Sequence, residues 1–329
     1  MISRALQTPA YLVSIALFAI CPLFSGTGLN AGECDDLLSE TSCLAPESEW
    51  AFSARAIFLQ RDTPDRSILA INTADNTQFV DSSGFDFDFE TGYELDLRRM
   101  IGDDCQLQLR FFSIDSLLDS NTTATTNNNL LRFNAAIPVF ATSGTGITSS
   151  FGSDLYNAEV GIGKSLNDWL HLSVGFRYLE LNDSLEMSLT GAAVPATYSA
   201  QTRNRLYGAQ LGGEALLWQC NKLSVELFGK GGVYGNNAAH DARLGTGAAT
   251  VTATGSNDET AFIGELGINN SMRLTDCLSF YSGGQLLWID RVAVGDRQLA
   301  STNFFSGSGY DGDGDVFFLG FSFGLKLEY

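Results

Sequence analysis

The side chains best placed to do chemistry in this chain are charged ones that recur at every second position. Between 85 and 98, Asp86, Asp88, Glu90, Glu94, Asp96 and Arg98 share one parity, and Phe85, Phe87, Phe89, Tyr93, Leu95 and Leu97 share the other. An extended chain sends successive side chains to opposite faces, and no helix separates these two sets. The same pattern sets Arg55, Arg110, Glu159, Arg177, Glu214, Glu226, Lys230, Glu265 and Lys326 opposite apolar neighbours on their own segments. A buried charge is tolerated only when paired and hydrogen-bonded. Acids and bases on one face therefore read in two ways. They line an ion-selective pore, or they fill a narrow interior with ion pairs.

Other reactive groups are sparse. Asp311-Gly-Asp-Gly-Asp315 alternates acids as calcium loops do, but it lacks the glycine and distal glutamate of an EF-hand loop and reads as an acidic loop. The chain has two histidines, His171 and His240. His171 is expected to be a hydrogen-bonded residue on the charged face. Cys105, Cys220 and Cys277 all fall at predicted turns, and Cys34 and Cys43 stand nine apart in an acidic stretch. A small disulfide loop at that pair suits an oxidising compartment. Metal binding would require tighter clustering, so neither a metal nor a cofactor is expected.

These residues need strands to carry them. Alternation predicts strands at 50–59, 85–98, 107–111, 154–164, 169–181, 205–218, 222–234, 260–272, 277–289 and 316–329. Long polar connections (61–83, 117–152, 182–204, 235–259, 290–315) alternate with short ones (99–104, 165–168, 219–221, 273–276). Residues 131–139 alternate weakly inside the second long connection, as a hairpin arm or an extra strand pair would. A secreted sandwich has no reason for such regularity. An outer-membrane barrel has short periplasmic turns, long outside loops and an even strand number. The fold class read from the sequence is therefore all-β: a transmembrane antiparallel up-and-down β-barrel of about ten strands, with twelve as the alternative.

The last stretch is the clearest case. Phe317, Leu319, Phe321, Phe323, Leu325, Leu327 and Tyr329 form an unbroken greasy face, long enough to cross a bilayer as a tilted strand of roughly 9–11 residues. It resembles the C-terminal strand of bacterial outer-membrane barrels. That resemblance implies recognition by the barrel-assembly machinery and closure against the first strand. Aromatics gather at predicted strand ends, with Trp50, Trp169 and Tyr329 below and Phe58, Phe85, Tyr178, Tyr207, Trp288 and Phe317 above. Such a belt marks the lipid–water interface. Leu95, Val174, Leu227 and Phe321 are expected to face lipid, with Arg177 and Glu226 inside.

The chain divides into a secretory signal at 1–31, an acidic periplasmic segment at 32–49 and the barrel at 50–329. Arg4 and the apolar core 11–24 carry the signal reading. A formal charge of −19 speaks against a nucleic-acid partner. The expected partners are outer-membrane lipid and the assembly machinery.

Several phrases resemble the β-barrel porin family found mainly in planctomycete-type bacteria. They are SDLYNAEVGIGKSLNDWLHLSVGFRYLELND (153–183), NRLYGAQLGGEALLW (204–218), LFGKGGVYGNNA (227–238), ETAFIGELG (259–267) and GGQLLWIDRVAV (283–294). The resemblance implies an outer-membrane barrel and brings no catalytic residues. Some ten-stranded outer-membrane barrels are proteases with an Asp–His pair at the outer rim, and His240–Asp241 lies in a predicted outside loop. Sequence neighbours rarely orient each other, and no second acidic pair is recognisable, so the expectation is that the chain is not an enzyme. The functional reading is a porin-like barrel, passing small solutes or filled by its own side chains. The alternative is a non-conducting structural or surface-interaction barrel. Ten strands lie near the size whose interior side chains fill, which favours the ion-paired lumen.

Overall fold

Alternating side chains suit a ladder in which each backbone group pairs with a neighbouring strand, and the computed structural model is built almost wholly of such ladders. It describes residues 49–72, 77–102, 105–136, 142–192, 194–247 and 249–329. The predicted signal and nearly all of the acidic segment lie outside the described residues. The strands are β1 (Trp50–Arg61), β2 (Ile68–Asn72), β3 (Thr77–Asp81), β4 (Glu90–Ile101), β5 (Cys105–Phe133) and β6 (Thr142–Asn167). They continue as β7 (Leu170–Thr190), β8 (Ala196–Cys220), β9 (Leu223–Thr246), β10 (Ala249–Arg273), β11 (Leu278–Val292) and β12 (Gly314–Glu328). A single helical turn, α1 (Gln298–Ser301), interrupts the last connection.

Ten of these strands close on themselves. Each of β4–β12 pairs antiparallel with its chain neighbour, and β1 pairs with both β4 and β12. The seam is sewn at its lower end by reciprocal backbone bonds of 3.0 Å between Trp50 and Tyr329. On its lipid face, the rings of Phe58 and Phe321 stack at 4.8 Å. The β2–β3 hairpin stands apart from the ring and leans on the upper end of β5 at Leu131–Phe133.

Strand parity sets the faces. Leu95, Val174, Leu227 and Phe321 are 39%, 51%, 39% and 40% exposed, whereas Glu94 and Arg177 are each 1% exposed. Burying these two charges inside and leaving large apolar groups outside makes sense only if lipid covers the outer wall. Trp169, Tyr207 and Tyr329 stand out from that wall at 54%, 49% and 70% exposure. Trp50, Phe58, Tyr178, Trp288 and Phe317 share the outer face, half-buried against neighbours.

Two sequence expectations change. Phe85 does not belong to the belt. A 3-10 turn at Ser82–Gly84, capped by the Asp81 carboxylate, precedes it, and β4 begins only at Glu90. Parity assigns no face once the backbone leaves the ladder. Phe85 and Phe87 turn inward instead and meet Phe151 edge-on at 5.4 and 5.5 Å. Second, the polar segments 117–133, 142–152, 182–190, 196–204, 235–246 and 249–259 are not loops. They continue the strands, so that β5 reaches 29 residues and β8 and β10 reach 25. A strand that crosses a bilayer needs about 9–11, so the wall rises far above the membrane. There, water takes the place of lipid and the outer face needs no apolar residues. The inner face still does: Leu185, Met187, Tyr198, Ala200, Ala242 and Leu244 are all buried.

Candidate functional site

The wall delivers its inward charges to one level, and they meet across the barrel. Arg55–Glu94, Asp96–Arg110, Arg110–Glu159, Glu159–Arg177 and Glu265–Lys230 are register partners on neighbouring strands. The long contacts cross the lumen. Arg110 of β5 reaches Glu265 of β10 at 2.6 Å and Gln285 of β11 at 3.2 Å. It also holds Glu94 at 3.2 Å and Glu159 at 3.1 Å. Arg177 of β7 donates to Glu265 at 2.8 Å and to the Asn157 amide oxygen at 2.6 Å. Lys230 of β9 reaches Glu159 of β6 at 2.8 Å. Lower down, Arg98 of β4 grips Glu214 of β8 with two bonds of 2.8 and 3.0 Å and holds Asp96 at 2.9 Å. Arg55 pairs with Glu94 and lies over the Tyr281 ring at 4.7 Å.

Within this network Glu94, Asp96, Glu159, Glu214 and Glu265 meet Arg55, Arg98, Arg110, Arg177 and Lys230. The two sets match in number, so the network itself is close to neutral. Three candidates stay outside it. Glu90 stands opposite Leu59, where β4 begins, with no ion pair among the described residues. Glu226 is half-buried near the periplasmic end, likewise without an ion pair among the described residues. Lys326 pairs with Glu328 at the lower mouth. His171 is half-buried, its Nδ1 3.3 Å from the Ser165 hydroxyl. A cavity of about 10 Å³ beside Lys230, Glu159 and Gln210 has room for one water.

Sequence reasoning missed the layer above. Ile57, Leu59, Phe112, Ile114, Leu155, Leu179, Leu206, Ile263, Leu287 and Phe318 all point inward and are at most 1% exposed. They sit on the charged parity, directly above the ion pairs, and their shared parity was the available signal. Bulky groups fit a ten-stranded lumen because others are absent. Phe228, for example, lies across Gly267 of the neighbouring strand, where a Cβ would meet its ring at 2.5 Å.

The outer mouth is closed by the connection 293–313. Arg61, fully inside, makes a two-bond pair with Asp183 at 2.7 and 3.2 Å and lies over the Phe151 ring at 4.8 Å. Asp183 also accepts from the Gly295 amide at 3.0 Å. Asn204 binds both backbone groups of Ala293, at 2.7 and 2.8 Å. Asp296 is 1% exposed beside this pair; burial and the nearby Asp183 raise its carboxyl above the usual range. His240, also 1% exposed, has its Nε2 3.1 Å from the Thr302 hydroxyl, and burial lowers its pKa to about 4. Asp311 reaches Arg297 at 3.4 Å. Among the described residues no group of three or more His, Cys, Asp or Glu is placed to hold a metal ion, and Cys105, Cys220 and Cys277 form no disulfide with one another.

A closed ring with a lipid-facing apolar wall and an aromatic belt defines an outer-membrane β-barrel, and the outer membrane is where this chain resides. A solved structure agrees on the fold. The outer membrane protease OmpT from Escherichia coli is similar with a TM-score of 0.51 at 9% identity, over 89% of this chain and 99% of that one. The translocator domain of the autotransporter NalP from Neisseria meningitidis matches with a TM-score of 0.42 at 11% identity, over 97% and 96%. The P. putida toluene transporter TodX matches with 0.30 at 10%, over 86% and 91%. No protein-family model and no curated protein sequence matches the chain. The OmpT match corrects one expectation. A protease is built on this same barrel, so the sequence expectation that the chain is not an enzyme does not stand.

Proposed function

We propose that this chain is a porin-like outer-membrane barrel whose lumen is filled by its own side chains and which, in this conformation, carries no continuous water path. The observation that supports it is the Arg110 guanidinium, which joins acids from β4, β6 and β10 in the middle of the lumen. A water-filled pore would leave such groups on opposite walls hydrated and apart. Export by the 1–31 signal, delivery through the C-terminal strand to the assembly machinery, and membership of the planctomycete-type porin family belong to the same proposal. The segments at 153–183 and 204–218 support that membership. Planar-bilayer recording on refolded full-length protein tests the reading. It requires an electrically silent barrel; a steady ohmic current from the wild type would overturn it.

A further inference from the structure

We infer that the outer wall of β7 and β8 carries a docking site for the phosphate headgroup of an outer-leaflet lipid. The site is built on Arg203 and Arg205. Both point outward from β8, with side chains 58% and 47% exposed. They stand just above Tyr207, which is paired with Tyr178 across β7 and β8 in the aromatic belt. Strand residues rise about 3.3 Å each, so Arg205 lies roughly one pleat above the apolar wall and Arg203 one pleat further. With the strand tilted by about 35–45°, Arg205 stands about 5 Å and Arg203 about 10 Å above Tyr207, within and at the outer edge of an interfacial layer about 5–8 Å thick on each side.

The two guanidiniums are poorly satisfied by the protein. Among the described residues the acid within ion-pair distance of both is Glu180, on β7 opposite Arg205. The Glu180 oxygens lie 3.8 Å from the Arg203 Nε and 3.7 Å from the Arg205 Nε, beyond hydrogen-bond length. Glu180 is itself held, accepting from the Tyr178 hydroxyl at 2.6 Å and the Asn182 amide at 3.1 Å. One fixed carboxylate thus sits between two planar forks whose donors are otherwise turned to the surroundings. Phosphate oxygens accept from such forks in pairs. Higher on β9, the exposed Arg243 is offset by the exposed Asp241, and Glu186 is exposed further up β7, so the excess positive charge lies at the Arg203–Arg205 level. Elsewhere above the belt exposed arginines stand singly, Arg66 paired with Asp81 and Arg291 alone on its strand end, among exposed acids such as Asp115, Asp258 and Asp315. In a chain with a formal charge of −19, an arginine pair placed there selects an anionic headgroup rather than serving general surface charge.

The test is lipid retention by the intact barrel, read by native mass spectrometry with phosphatidic acid as the phosphate-monoester probe and phosphatidylcholine as the neutral one. The wild type should retain phosphatidic acid preferentially. Arg203→Gln/Arg205→Gln should weaken that retention by roughly tenfold or more. Arg66→Gln, which removes an exposed arginine paired with Asp81 elsewhere on the outer side, should leave it unchanged. Glu180→Gln, which removes the competing carboxylate, should tighten it. A heat-dependent gel shift checks that each variant is a folded barrel. Equal retention by the double variant, an equal loss in Arg66→Gln, or no gain in Glu180→Gln would overturn the site. So would displacement of the lipid by inorganic phosphate at equal concentration, which would mark a free-anion site instead.

Discussion

Arg110 is the side chain on which the middle of the barrel depends most. It is 4% exposed and pairs with Glu94, Glu159 and Glu265. A buried ion pair is weak evidence of net stability, because desolvation offsets attraction; breaking one partner away is another matter. Arg110→Ala leaves three acids competing for Arg55, Arg177 and Lys230, and should lower stability by about 3–5 kcal/mol. Thermal melting in detergent, followed by the heat-dependent gel shift, checks this. A cost of about 1 kcal/mol or less would mean the network is hydrated, as exposed pairs are. On the outer wall the sign of the environment reverses. Val174 is 51% exposed to lipid, so Val174→Arg should destabilise by roughly 2–4 kcal/mol near mid-membrane. These facings were legible in the sequence because alternation is a property of the extended backbone itself. The cross-lumen partners were not. Glu265 lies 155 residues from Arg110, and no local pattern records which walls meet.

At the scale of elements, the transmembrane parts of the strands were readable and their extensions were not. Lipid demands an apolar outer face, and the chain records that demand as strict alternation. Above the membrane the outer face is polar, the inner face apolar, and Thr, Ser and Asn interrupt the pattern. The segment 182–204 reads as a loop for that reason, although β7 runs on to Thr190 and β8 starts at Ala196. The connection 293–313 was equally hidden. It folds into the mouth through backbone groups held by Asn204 and Asp183, which leave no periodic trace. His240 predicts how this cap responds to pH. Its pKa falls from 6.5 to about 4 in the folded cap, chiefly through burial, with Asp241 pulling weakly the other way. The unfolded form therefore binds the extra proton between those values, and the stabilising contribution is complete above pH 6.5 and lost as pH falls toward 4. The full effect is on the order of 3 kcal/mol. Asp296 acts in the opposite sense. Its raised carboxyl pKa destabilises the cap most at high pH, and protonation relieves that cost as pH falls. Limited proteolysis of the cap should therefore accelerate on acidification in Asp296→Asn more steeply than in the wild type. His240→Gln should flatten the response. An identical pH profile in all three would show that neither group titrates in the cap.

For the whole molecule, the lumen has barriers stacked along one axis. The ion-pair layer lies lowest, the apolar layer of Phe112, Leu179 and Phe318 above it, and the cap of 293–313 closes the mouth. Barriers in series are governed by the highest, so removing one leaves the others in force. Charged groups alone would let water follow them; apolar side chains at this density exclude it, and a dry constriction stops ions by dewetting. Arg110→Ala, although costly to stability, should therefore leave the barrel electrically silent, because ions would still meet the apolar layer. Truncating that layer by Leu179→Ala/Phe318→Ala should also leave it silent, since the ion pairs below and the cap above remain. Only a combined variant, with both layers opened and 293–313 shortened to a tight turn, should pass current in planar bilayers. Each variant would first be shown to keep its heat-dependent gel shift, which separates leakage through a folded barrel from collapse. Ohmic conductance in Arg110→Ala alone, at a level matching the combined variant, would mean that the charge network is the sole gate and that the apolar layer is wet.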